Sequence, residues 1–519
     1  MNNRRYEDED ELYYNFIDNG VQESPAEIKL PAVAVSYTND AVKASNYNYT
    51  PATLSFFAMV GQLVKDMIAI PSGINVDDTR LQVLWLQTSG TGKSTLTNWY
   101  MPIVDETFRM INEKHGTNFS VFDITDYTDA ALIGSFERRK EEVEDEDGRT
   151  RTIEVDVPVP GQLDGEGMAI WDEFEYSGVF KQSQHKENAI VYLNTFMNTM
   201  WGETYIISKK LKQGEDPIEC ICKRSVYGTS YIPKTLTSVI TEKGVLQRLL
   251  MFIWEVPQDV QKKMRRKLIS DFGDIQEKEA PKLKYAKSLA TIYDTVKERF
   301  DEVDGDPLKV LSITGDAKDA LLRECILMEE YISHSRPEVF QAVETFINRI
   351  LKHIQKLAVL CAVAEAPSIK DKSKRFVVTQ KNVQQAASVV RQCYKSLVSW
   401  LDEALRVEKV AVAQTANLGV FKSVYREMDS DDGWVHKTRL LGEVRKKTQK
   451  GQQTIYNWWK KSIGEYFEEN RINKSVYVKL KEEDELLKYQ IQMKNKLLDK
   501  ANELEREAIS VQRNIRGLL

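Results

Sequence analysis

The sequence has little cysteine and histidine, five of each in 519 residues. Cys220 and Cys222 make the one close pair; alternation puts both on one face of a strand, with no second pair or nearby histidine. That excludes a structural zinc set, and the thiols read as reduced packing residues. A dominant charge is also missing, because Lys and Arg number 72 against 78 Asp and Glu, a net charge of -6. Without a global basic excess, any contact with nucleic acid has to come from local patches. No uninterrupted apolar run approaches the roughly 20 residues of a membrane span. The opening MNNRRYEDEDELYY also lacks the apolar core of a secretion signal. These absences predict a soluble, cytoplasmic chain with no membrane partner. An apolar fraction of 42% is enough to build cores, and the length predicts about three domains.

What is present centres on residues 81–95, LQVLWLQTSGTGKST. Leu81, Val83, Leu84, Trp85 and Leu86 read as a buried parallel strand that breaks into a Gly-rich turn before a helical pattern. Gly90 and Gly92 let the backbone turn its N–H groups inward, and the following helix adds partial positive charge. The stretch Ser89, Gly90, Thr91, Gly92, Lys93, Ser94 and Thr95 is therefore a candidate phosphate cradle for ATP. Lys93 would reach the outer phosphates and Ser94 would hold Mg²⁺. Gln87 stands where the motif has its first glycine. A plain Gly-rich turn between strand and helix is the alternative.

Other chemistry lies downstream, where Met168 to Trp171 form a buried apolar run ending in Asp172-Glu173. A strand that carries Asp172 to the Mg²⁺ shell beside Ser94 also sets Glu173 to polarise an attacking water. The strand Ser225 to Gly228 ends in the hydroxyls of Thr229 and Ser230, which could sense the γ-phosphate or that water. Arg248 leads into an apolar run, where a cation is expensive without an anionic partner. It is either in a salt bridge or an arginine finger aimed at a neighbouring subunit's ATP. Lys209, Lys210 and Lys212 sit near a hairpin tip. They are solvated there, or they contact a phosphate backbone if the hairpin faces a pore. Residues 137–160, with Asp147-Gly148 and a tail alternating at Ile153, Val155 and Val157, read as a protruding β-hairpin or a solvated loop.

The remaining chain divides by composition. Residues 1–50 are charged and weakly periodic, an N-terminal arm that is partly ordered. Residues 51–258 hold the α/β core, and 259–410 are a linker and a helical region containing Arg349, a candidate phosphate contact or a helix-surface salt bridge. Residues 411–480 show three helices and a closing strand, a winged-helix pattern. Its third helix, with Gln452, Gln453, Thr454, Asn457, Lys460 and Lys461 around Tyr456, Trp458 and Trp459, could enter a major groove or dock on a protein. Residues 481–519 read as a long amphipathic or coiled-coil helix whose spacing drifts from strict heptads.

The order of these parts resembles the AAA+ ATPases of the minichromosome-maintenance helicase type. It is similar above all to a phage- and plasmid-encoded branch of replication ATPases that pairs a GtGKS loop with a segment like GVLQRLL. The resemblance covers about residues 51–405. It implies an α/β AAA+ P-loop core with a helical lid, and Lys93, Ser94, Asp172 and Glu173 acting in cis. It makes Thr229 or Ser230 the sensor, sets Arg248 acting in trans and Arg349 as the lid arginine, and makes the Lys209 to Lys212 hairpin a DNA grip. The family's sensor is usually Asn, and its finger Arg is usually followed by Phe-Asp, where this chain has Leu249-Leu250. The implied activity is an ATP-driven helicase or translocase in phage or plasmid DNA replication. It would work as a hexameric homo-oligomer around single-stranded DNA and could dock another replication protein on its terminal helix. The alternative is a non-helicase AAA+ switch, an initiator, loader or remodeller that binds DNA or a partner through the winged helix.

Overall fold

The computed structural model describes residues 24–45, 48–124, 128–144, 150–174, 189–198, 201, 206–209, 218–233, 246–270, 279–368, 375–428, 434–461, 463–472 and 475–480. The chain forms two compact units, residues 1–404 and 405–519.

Unit 1 is built on a mixed α/β layer. Its centre is five parallel strands: β1 (Val83–Gln87), β2 (Phe119–Asp123), β3 (Gly165–Trp171), β4 (Ile218–Ser230) and β5 (Leu250–Trp254), in spatial order β5-β1-β4-β3-β2. Every residue of β1 is buried, as a strand hydrogen-bonded on both sides and covered on both faces requires. Its register sets Val83 against Leu250 on one side and against Tyr227 on the other. All five strands therefore end on one edge of the sheet. A short strand, Ile206–Lys209, pairs antiparallel with β4.

Helices cover this sheet. Helix α1 (Ala32–Ser45) lies within the stretch read from sequence as an arm, yet Ala34, Tyr37, Thr38 and Ala41 follow helical spacing and are buried. Tyr37 packs its ring against Phe56, Trp99 and Tyr285 and shares a hydrogen bond with Ser55. Helix α2 (Tyr49–Leu63) is buried on nearly every side, which makes it a core helix. Its Gln62 bonds the backbone of β4 at Lys223 and Ser225, and Gln82 does the same at Arg224 and Val226. Two buried amides thus satisfy β4 over a stretch that β1 does not reach. Helix α3 (Lys93–His115) carries Pro102 inside its length and closes on Gly116 in the left-handed conformation. Helix α4 (Glu279–Glu302) packs on α3, with Asp294 meeting Lys114 at 2.8 Å and His115 at 2.7 Å. Helix α5 (Pro337–Glu365) is amphipathic along most of its length.

Residues Gly134–Glu144 and Thr150–Pro160 pair antiparallel along their full length, and Glu137 to Glu142 are exposed. The stretch offered two readings is a hairpin, and its turn lies outside the described residues. Cys220 and Cys222 are both buried in β4, where burial raises both thiols above the usual range. Arg224, only 2% exposed, donates to the carbonyls of Ser120, Asp164 and Glu166 and lies 4.3 Å from the Phe122 ring centroid. One guanidinium thereby ties together the starts of β2, β3 and β4.

Unit 2 encloses Phe421, Val435, Leu440, Ile455, Trp459, Phe467 and Val478. Helices Lys437–Thr448 and Gln452–Lys461 precede two antiparallel strands, Phe467–Ile472 and Ser475–Leu480, joined by the short strand Val435–His436. Of the three aromatics read as the core of the second helix, Trp459 is buried and Tyr456 is 49% exposed. Helical phase explains this, since Ile455 and Trp459 are four apart and face inward together. Tyr456 instead joins Gln452, Gln453, Asn457 and Lys460 on the outer face. Residues 481–519, read as a long helix, lie outside the described residues. Among the described residues no helix is long and apolar enough to cross a membrane.

Gly167 sits opposite Ser120 in the β2–β3 pair at φ +125°, and a Cβ there would lie 2.0 Å from the Ser120 carbonyl oxygen. Gly167→Ala therefore forces two paired backbones apart and should destabilise unit 1 by about 3 kcal/mol or more. Thermal unfolding checks this, and a midpoint within a degree or so of the parent would contradict the packing at that pair.

Candidate functional site

Three strand ends and one loop build the site. The loop after β1 turns on Gly90 at φ +71° and Gly92 at φ +80°, conformations that suit glycine. A Cβ added at Gly90 would meet nothing within 4 Å, so dihedral angle, and not space, demands glycine there. Gly92 is the N-cap of α3 and gives its first turn no side-chain cap. The N-terminus of α3, with the helix dipole behind it, is suited to an anion.

Gln87 is wholly buried, and its amide nitrogen donates to the Thr91 hydroxyl at 2.8 Å and to the Thr91 carbonyl at 3.3 Å. Thr91 in turn donates to the Thr88 carbonyl at 2.5 Å, and the Thr88 hydroxyl accepts from the Val256 N–H at 3.0 Å. The residue that departs from the glycine motif is thus the brace that holds the loop. Lys93 donates back to the Gln87 carbonyl at 3.3 Å. Ser89 and Thr95 are exposed at the loop's two ends.

Asp172 follows β3 and is the hub of the site. Its Oδ2 accepts from the Ser94 hydroxyl at 3.1 Å, and its Oδ1 accepts from the Glu173 N–H at 3.1 Å and from the Thr229 hydroxyl. The spatial order of strands explains the meeting, because β4 lies between β1 and β3 and delivers Thr229 into the gap. Alternation along β4 sends the neighbouring Ser230 elsewhere, and its hydroxyl donates to the Tyr231 carbonyl at 2.8 Å. Glu173 is exposed and takes φ +56°, a left-handed conformation costly for a residue with a Cβ. That backbone turn carries its carboxylate off the line of the strand.

Sequence reading missed Asp123, at the end of β2. Burial raises its carboxyl above the usual range, and the nearby Asp172 charge adds to the rise. The signal was available, since Phe119–Asp123 is a second apolar strand ending in a carboxylate. Ser94 and Asp172 offer one hydroxyl and one carboxylate, the hard oxygen donors that suit Mg²⁺ with water and phosphate completing its shell. Among the described residues no cluster of three or more His, Cys, Asp or Glu side chains could hold a metal by itself.

Arg248 and Arg349 are elsewhere. Arg248 precedes β5 at the edge where the strands begin, so about 13 Å of strand separates that edge from its own loop. Its guanidinium donates to Asn194 Oδ1 at 2.8 Å. Arg349, on α5, lines the same cleft as Arg248, together with Arg80, His353 and Lys356. The backbone of Lys209 lies in the strand Ile206–Lys209, while its side chain and all of Lys210 and Lys212 lie outside the described residues.

No protein-family model matches this sequence, and no curated protein matches it significantly.

Burial, joined by the charges of Lys356, Arg349 and Lys352, pushes His353 down to about 3. The folded ring therefore stays neutral while the unfolded ring takes a proton below about pH 6.5. Stability held above that value drains away as pH falls toward 3, by at most ~1.4 kcal/mol per pH unit. Burial likewise pushes Lys356 down to about 8, despite Asp78 and Asp77, which adds a second rise in stability between that value and its unfolded pKa near 10.4. Melting midpoints should climb from about pH 5 to about pH 7, and His353→Leu should remove one proton's share of that slope. An unchanged slope in the variant would show that the ring titrates normally in the folded chain.

Proposed function

We propose that this chain is an ATPase of the AAA+ type that drives translocation along DNA as a ring-shaped homo-oligomer. The observation that carries the reading is the junction of Ser94, Asp172 and Thr229 beside the Lys93 loop. Three segments far apart in sequence converge there with the residue types that phosphoryl transfer requires.

In this reading the loop N–H groups and Lys93 hold the triphosphate and orient its outer phosphate. Bound Mg²⁺ would neutralise charge on the phosphates, held by Ser94 and Asp172. Thr229 and the Glu173 N–H keep Asp172 fixed by hydrogen bonding to its Oδ1. Glu173, turned aside by its left-handed backbone, accepts a proton from the attacking water. Arg248 is remote from its own loop, which supports a role toward the nucleotide of a neighbouring subunit. The helices and small sheet of unit 2 support a winged-helix reading, in which the face bearing Gln452, Gln453, Asn457 and Lys460 meets DNA or a protein. The helices beyond β5 are read as the AAA+ lid on the resemblance alone.

Purified protein should hydrolyse ATP, and DNA should stimulate the rate. Lys93→Ala should abolish nucleotide binding, whereas Glu173→Gln should bind nucleotide and hydrolyse it at least ~10²-fold more slowly. Hydrolysis by both variants at the parental rate would end the ATPase reading.

Mixing Arg248→Ala with Glu173→Gln subunits should restore part of the activity at hybrid interfaces, and no recovery at any ratio would exclude a shared site. Changing Lys209, Lys210 and Lys212 together to Glu should remove DNA stimulation. Intact stimulation and strand displacement would instead favour the switch reading, with ATP driving assembly.

A further inference from the structure

Helix α5 carries Arg349, Lys352, His353 and Lys356 at spacings of three, four and seven, so all four share one helical face. Like charges so spaced repel one another and weaken a helix unless anions answer them. This face lines a small cleft, closed on other sides by Arg80, Arg248 and Asp77. Asp77 meets Lys352 at 2.8 Å, and Asp78 meets Arg80 at 2.7 Å and Lys356 at 3.8 Å. Two carboxylates thus stand beside five basic side chains.

Three groups in the cleft have unused hydrogen-bonding capacity. Arg349 makes no hydrogen bond or ion pair among the described residues. Arg80 has a buried Nη1 without a partner. His353 is 7% exposed, and neither of its ring nitrogens has a partner. A buried imidazole with both nitrogens unsatisfied is costly, and so is an excess of cations over carboxylates in a buried cleft. A single anion supplying several acceptor oxygens would relieve both.

We propose that this cleft binds a phosphoryl dianion, with Arg349, His353 and the free Nη1 of Arg80 as its contacts. A carboxylate offers one negative charge and two oxygens in a plane. A phosphoryl group offers about two charges and oxygens spread in three dimensions, which suits guanidinium and imidazole donors converging from α5 and from the segment before β1. Neutral His353 donates one N–H to the anion, and its other nitrogen can accept from a neighbouring guanidinium. The site lies at the edge of the sheet opposite the Lys93 loop; binding of free phosphate there is independent of the ATPase reading, whereas binding of a second copy's nucleotide rests on it. The phosphoryl group is either free phosphate or belongs to a nucleotide held by a second copy of the chain.

The test uses Lys93→Ala protein, so that the loop of the same chain does not compete. Inorganic phosphate is titrated while heat and the ¹⁵N resonances of the five histidines are recorded, His353 being assigned through His353→Gln. Saturable binding that moves the His353 resonance, and that weakens by about tenfold or more in Arg349→Ala, identifies the free anion. If phosphate leaves the resonance still, Glu173→Gln subunits loaded with ATP are added. A shift then identifies the nucleotide of a second copy, provided Arg349→Ala in the observed subunit removes it. No shift from either source, or binding indifferent to Arg349→Ala and His353→Gln alike, overturns the proposal. A chain without ATPase activity that still binds phosphate here would refute the proposed function and leave this site standing.

Discussion

A carboxylate at the end of a buried strand has to find hydrogen-bond donors, and in this chain Asp172 finds three of them on three different segments. The Ser94 hydroxyl comes from the first turn of α3, the Thr229 hydroxyl from the end of β4, and the N–H of Glu173 from its own backbone. Each donor is where it is because parallel strands in one register all finish at the same edge. If β4 slipped by one residue so that Gly228 took the place of Thr229, the hub would lose a donor. The site's geometry therefore rests on the registers of β1 with β4 and of β4 with β3, and those rest on burial. Gln62, Gln82 and Arg224 reinforce the same registers from the other end, by satisfying backbone groups that the strands leave open.

Much of this edge was legible in the sequence, because the signals there are local. Apolar runs that end in Gly-Thr-Gly-Lys-Ser, in Asp-Glu or in Thr-Ser mark buried strands whose last residues emerge at a common rim. The choice between Thr229 and Ser230 was not legible, since alternation decides it only once the register is fixed. Nor was the role of Gln87, which reads as a missing glycine until its amide is seen against Thr91. Asp123 was overlooked although it repeats the pattern of Asp172. The stripe on α5 was in plain view at helical spacing, but its meaning depends on Asp77, Asp78 and Arg80, more than 260 residues away in sequence. Helix α1 was hidden because its buried stripe, Ala34, Tyr37, Thr38 and Ala41, is made largely of small and polar side chains, with Tyr37 supplying the contacts to Phe56, Trp99 and Tyr285.

The two ends of the sheet thus have opposite characters. Where the strands finish, Asp172, Glu173 and Asp123 gather negative charge around the Lys93 loop. Where they begin, cations gather on α5 and before β1 and β5. A chain with an acidic rim at one edge of its sheet and a cationic cleft at the other carries the charge pattern that the head-to-tail ring proposed above would need. The small sheet and helices of unit 2 stand apart from this polarity, with a core of their own around Trp459 and Phe467.

Gln87 gives the loop a property that a glycine would not. With glycine at the entry, the loop's shape would be held by backbone dihedral angles alone. Here it is held by one side chain whose amide nitrogen is engaged with Thr91 while its buried Oε1 has no partner. The brace is therefore incomplete and leaves an unmet acceptor beside the candidate site. In evolutionary terms the entry is a tuning point separate from the chemistry. In the ATPase proposed above, substitutions at this position would stiffen or loosen the cradle while leaving Lys93, Ser94, Asp172 and Glu173 untouched, so turnover could drift without any loss of mechanism.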